Sequence, residues 1–135
     1  MTIGIDASRA NRDFKTGTEW YSYYLITNLI KIDRENKYIL YSDKPLNQAF
    51  LNDLKLENNK NVRIKVLKWP FKYFWTLGRL SLEMIFRRPE ALFVPAHSLP
   101  LFFPKKTVNT IHDIAFISND YIYNQDISAD SSKFS

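Results

Sequence analysis

Cysteine is absent from the 135 residues, which excludes a disulfide framework, a thiol nucleophile and any cysteine-ligated metal centre. Glycine is scarce, with three in the whole chain, and only Gly17 follows the first apolar run within a short loop. A single glycine can write neither a phosphate-cradling P-loop nor the three-glycine dinucleotide fingerprint, so nicotinamide cofactor binding is disfavoured. No serine stands in a nucleophile-elbow context, and a hydrolase triad therefore has no candidate. The start, MTIGIDASRA, lacks the basic region, long apolar stretch and cleavage site of a signal peptide, so the cytoplasm is the expected location. Carboxylates are few in the middle of the chain. Residues 62 to 106 carry nine basic side chains against Glu83 and Glu90, a surplus of seven, while the remainder sums to −2. Such a basic middle suits an anionic partner or forms a solvated face.

What is present is globular in character. Hydrophobic residues make up 45% and charged residues 24%, ordinary proportions for one domain with enough chain to bury a core. Residues 2 to 6, TIGID, form a short apolar run ending in an acid, followed by a polar loop. Thr16 and Glu19 have the three-residue spacing of a capping box, which predicts a helix over 18–32. Tyr21, Tyr24, Leu25, Leu29 and Ile32, widened by Ile26 and Ile30, trace its expected apolar face. KYILYS (37–42) predicts a second strand, PLNQAFLNDLKL a short helix over about 46–55, and VRIKVL (62–67) a half-exposed strand. From Phe71 to Arg88 an aromatic and aliphatic stretch predicts a long helix stopped by Pro89. ALFVP (91–95) and KTVNTI (106–111) read as two more strands.

The order β-α-β-α-β-α-β-β predicts α/β architecture: a Rossmann-like parallel sheet with helices on both faces, because alternating helices carry the chain back across the sheet. The domain is expected to occupy 1–117. The polar, aperiodic segment 118–135 reads as a loosely held tail. An open parallel sheet ordinarily continues further, so the chain reads as cut short.

Ligands of such sheets bind outside the carboxyl ends of the strands. That rule selects the loop after the first strand, with Asp6, Arg9, Arg12, Lys15 and Gly17, the loop after ALFV, with His97, and the residues after VNTI, with His112 and Asp113. Both histidines of the chain fall on one rim, beside a helix start whose backbone amides suit a phosphate. Taken singly, each residue also has a plain structural reading: a glycine that permits a turn, a histidine bonded to a neighbouring loop, an aspartate that caps. No ligand spacing supports metal binding by His97, His112 and Asp113.

IGIDASRA, TGTEWYSYYLI, YILYS, LFVPAHSLPL and VNTIHDIAF, in that order over residues 2–117, resemble the amino-terminal domain of the retaining glycosyltransferases of family 4. These enzymes have two facing Rossmann-like domains, the GT-B fold. The resemblance implies transfer of a sugar from a nucleotide-sugar to an acceptor, a glycan or a lipid-linked molecule, held mainly by this domain, with no metal or other cofactor. It implies that His112 contacts the donor sugar at the reacting centre and that Gly17 and Thr18 approach the donor phosphates; Arg9, His97 and Asp113, which the strand-exit rule puts on the same rim, are the further substrate-binding candidates. Many family members carry a second glycine where this chain has Glu19. The family's carboxyl-terminal domain, which binds the nucleotide, is not seen after Ser118, so the chain by itself is expected to be inactive and to need a separate nucleotide-binding domain.

KWPFKYFWTLGRLSLEMIFRR (68–88) is interrupted by Lys72, Arg79 and Glu83 and is too polar for a bilayer span. It suits either a helix lying on an anionic membrane or a crossover helix with its aromatics in the core. The rival to the glycosyltransferase reading is therefore a non-catalytic Rossmann-like module that binds a membrane surface or a protein. Nucleic acid is not an expected partner, because the cations alternate with core positions and follow no recognition motif.

Overall fold

The structure, a computed structural model, describes residues 1–71, 74–95 and 99–110. Five strands, β1 (Thr2–Asp6), β2 (Lys37–Ser42), β3 (Val62–Val66), β4 (Ala91–Val94) and β5 (Lys106–Asn109), form one sheet in the order β3-β2-β1-β4-β5. Every pairing is parallel. The Rossmann-like α/β architecture is thus present, with β1 at its centre and the direction of winding reversing between β1 and β4.

Strand burial follows position in the sheet. Ile5, Leu40, Leu92 and Val94 are buried on the inner strands, whereas β3 and β5 at the edges are only partly covered. Two apolar clusters lie on opposite faces, as alternation along each strand requires. Tyr38 and Leu40 point to the first with Ile26, Ile30 and Phe50, beneath α1 (Gly17–Ile32) and α2 (Gln48–Leu54). Tyr41, Leu92 and Val94 point to the second with Trp75, Leu80 and Met84, beneath α3 (Ser81–Phe86) and the π-helical turn Thr76–Leu80 that leads into it.

The start of α1 is fixed as its sequence requires. The Glu19 carboxylate accepts from the Thr16 backbone N–H (3.2 Å) and from the Thr16 hydroxyl. Its buried face differs from the expected one. Ser22, Tyr23, Ile26 and Ile30 are buried, while Tyr21, Tyr24 and Ile32 face solvent. The polar Ser22 turns inward because its hydroxyl donates to the carbonyls of Thr18 (3.1 Å) and Pro95 (3.0 Å), joining the helix to the exit of β4. On α2, Asn47 caps the first turn by accepting from Phe50 N–H at 2.9 Å.

The expected helix from Phe71 to Arg88 is much shorter. Regular helix begins only after Trp75, and Phe74 has a left-handed backbone with φ of 65°. Two tertiary contacts override the apolar periodicity. The Trp75 indole N–H donates to the Leu67 carbonyl (2.8 Å), pinning this residue to the end of β3. The Trp69 ring occupies the space beside Gly78, where an added Cβ would lie 2.5 Å from it. The aromatics divide accordingly. Trp75 is buried, while Phe71, Phe74 and Phe86 are exposed. Residues 99–105 form no helix between β4 and β5. The expected tail, 118–135, lies outside the described residues.

Candidate functional site

Parallel strands send all their exits to one edge, and the segments after β1, β2 and β3 meet there around a cavity. After β1 the chain turns at once. Asp6 is buried at the strand's last position, and its Oδ1 accepts from Ser8 N–H (3.0 Å) and the Ser8 hydroxyl (2.6 Å). Burial raises the Asp6 pKa, and the two bonds from Ser8 and the charge of Arg9 act in the opposite direction. Asn11 then ties this loop to the one after β2. Its Nδ2 donates to the Pro45 carbonyl (3.0 Å) and its Oδ1 accepts from Asn47 N–H (2.8 Å).

A cavity of about 520 Å³ opens between these loops and the segment that follows β3. Ser8, Arg9 and Arg12 line it from the first loop, and Asp43 and Lys44 from the second. Trp69, Phe71, Phe74, Trp75 and Leu77 form the opposite wall. Its size lies in the range of small-molecule sites. Among the described residues no carboxylate comes within ion-pair distance of Arg9, Arg12 or Lys44; the ion pairs present there join Lys65 and Arg79 to Glu83. Three cations against Asp43 leave the cavity wall net positive.

The predicted site residues divide into three groups. Arg9 lines the cavity. Gly17 and Thr18 stand at the start of α1, which Ser22 joins to the exit of β4, on the other side of the first loop. His97, His112 and Asp113 lie outside the described residues. The backbone leading toward the last two is placed at the same edge, since Thr110 N–H donates to the Val94 carbonyl at 3.1 Å.

Gly17 has an ordinary negative φ, and nothing lies within 4 Å of an added Cβ, so neither turn geometry nor packing requires a glycine here. The neighbouring Glu19 carboxylate has its pKa lowered, chiefly by the hydrogen bond from Thr16, and so remains charged beside the helix amides. An anion approaching Gly17 meets that charge. Lys15 stands over the rings of Trp20 and Tyr23, 5.1 Å from each centroid.

Sequence reasoning reached Arg9 and Arg12 through the strand-exit rule but passed over Asp43, Lys44 and Trp69. The same rule applied to the exits of β2 and β3 would have found them. No helix among the described residues is long and apolar enough to cross a membrane. No protein-family model, curated protein or solved structure matches the chain.

Proposed function

We propose that this chain is the acceptor-side half of a glycosyltransferase, which moves a sugar from a nucleotide-sugar to an acceptor lodged at the carboxyl edge of the sheet. The observation that carries the reading is the cavity itself. It sits where an open parallel sheet receives ligands, walled by cations and aromatic rings, on a sheet whose winding reverses between β1 and β4. The family resemblance of the segments over 2–117 supplies the reaction.

In such a transfer the anomeric carbon becomes cationic while negative charge grows on the departing diphosphate, so fixed dipoles and hydrogen bonds around both lower the barrier. His112 takes the position against the donor sugar. Gly17 and Thr18 face the donor, with Glu19 opposing close approach of its phosphates. The family resemblance has the nucleotide held by a second domain.

The test is radiolabel transfer. The chain is mixed with a separately produced family 4 nucleotide-binding domain, a panel of labelled nucleotide-sugars and a lipid and glycan extract. Incorporation above that of either domain alone is expected, with His112→Ala lowering it by about 10²-fold or more. Turnover by the chain alone would refute the need for a second domain. No incorporation in any mixture favours the second reading, a non-catalytic module, for which the exposed Leu82, Ile85 and Phe86 of α3 offer a binding face.

A further inference from the structure

The cavity wall has two chemically different halves. Arg9, Arg12 and Lys44 extend from the loops after β1 and β2, and Trp69, Phe71 and Phe74 face them from the segment after β3. Trp69 packs on Gly78 and serves the fold, whereas Arg12, Lys44, Phe71 and Phe74 stand exposed. Among the described residues none of the three cations has a carboxylate within ion-pair distance, the charge of Arg9 acting on Asp6 and Glu19 from farther away, while Lys65 and Arg79 converge on buried Glu83. Phe71 and Phe74 are 66% and 70% exposed, so the core gains little from them.

The backbone holding the aromatic half is also unusual. Phe74 has φ of 65°, a strained conformation for a residue with a side chain. Two residues later the π-helical turn begins, in which Leu80 N–H donates to the Trp75 carbonyl at 3.0 Å. Strain and π-turns both concentrate at binding sites. Here they fall on the residues that set the aromatic wall opposite the cations.

Further exposed apolar residues follow along the chain after the cavity wall. Leu77 follows Phe74, and Ile85 and Phe86 are exposed on α3. The Leu101 backbone N–H donates to the Ser81 hydroxyl (2.8 Å), which brings the exposed Leu101 and its neighbour Phe102 beside that helix. A small soluble anion would use the cations and leave the exposed Phe71 and Phe74 uncovered. A lipid whose phosphate reaches Arg9, Arg12 and Lys44 while its chain runs out over Phe71 and Phe74 uses both.

We infer that the cavity binds the phosphate ester of a membrane lipid: Arg9, Arg12 and Lys44 hold the phosphate, and Trp69, Phe71 and Phe74 carry the first part of the chain. Calling this lipid the sugar acceptor rests on the proposed function; the binding chemistry does not, and it is measured without any nucleotide-sugar. Guanidinium groups suit phosphate because their donors match its oxygens in pairs.

The test uses the full chain and two probes. Farnesyl phosphate is titrated while tryptophan emission is followed, with farnesol and inorganic phosphate as the partial ligands. Vesicles of phosphatidylcholine with and without phosphatidic acid are then sedimented with the chain. Farnesyl phosphate is expected to bind at least about tenfold more tightly than either partial ligand, and phosphatidic acid to recruit the chain to vesicles. The double variant Arg9→Gln/Arg12→Gln weakens farnesyl phosphate about tenfold or more and abolishes recruitment, while Phe74→Ser weakens farnesyl phosphate and leaves inorganic phosphate unchanged. Arg63→Gln, an exposed cation of edge strand β3, serves as the charge control and leaves both readouts at wild-type level. Equal binding of farnesol and farnesyl phosphate, or equal losses from Arg63→Gln and the double variant, overturns the proposal. Binding of soluble phosphates without a contribution from Phe74 overturns its lipid half. Circular dichroism of each variant separates loss of binding from loss of fold.

Discussion

The indole of Trp69 and the backbone of Gly78 are in such close contact that a methyl group at position 78 would stand 2.5 Å from the ring. Residue 78 lies within the π-helical turn, so this contact joins the exit of β3 to the helix covering the second face of the sheet.

Gly78→Ala therefore sets two effects against each other. Alanine favours helix over glycine by roughly 1 kcal/mol, but overpacking costs about 1–3 kcal/mol. The clash outweighs the gain in helix propensity, and a net loss of up to about 2 kcal/mol is expected in urea denaturation. Displacement of Trp69 should also move tryptophan emission to longer wavelength. A stabilised variant with unchanged emission would show that the ring does not hold this position in solution.

Glu83 is the buried carboxylate on which Lys65 (2.7 Å) and Arg79 (3.6 Å) converge, linking β3 to α3. Glu83→Ala strands both cations. Breaking a buried pair costs about 3–5 kcal/mol, and because the two cations are a quarter or more exposed, a loss near about 2 kcal/mol is expected. Replacing Lys65 and Glu83 together by methionine should recover much of it. Chemical denaturation of the single and double variants checks this, and equal losses in both would remove the ion pair as the cause.

Asp6 gives a pH signature. Its folded pKa is raised by burial, so its protonated form favours the fold. That contribution is fully present below the unfolded value, near about pH 4, and is lost as pH rises through the raised folded value. Asp6→Asn keeps the Oδ1 acceptor for Ser8 but cannot ionise. Its stability relative to the natural chain should increase from pH 4 to pH 8 in parallel urea titrations, whereas a constant difference would mean that Asp6 is not desolvated.

The strands were legible because each is a short apolar run bounded by polar residues, and KYILYS and TIGID coincide with β2 and β1 residue for residue. Thr16 and Glu19 marked the start of α1 through a local interaction that sequence spacing can express. What escaped depends on distant partners. Nothing near Ser22 reveals that the Pro95 carbonyl will draw it into the interior and turn the buried face of α1 toward Tyr23. Nothing within 69–75 tells that Trp75 will donate to Leu67, which shortens the following helix. For the site, Arg9 was found because it directly follows a recognised strand. Lys44 and Trp69 follow strands too, but the candidate residues of the sequence analysis lie at the first, fourth and fifth exits.

The two sheet faces are covered unequally among the described residues. Twenty-three helical residues in α1 and α2 lie over one, and only the π-turn and the six residues of α3 over the other. Opening the second face exposes less apolar surface, so amide protons of the π-turn and α3 should exchange with deuterium well before those of β1 and β2. Such an opening would separate Trp69 from Gly78 while the rest of the domain stays folded.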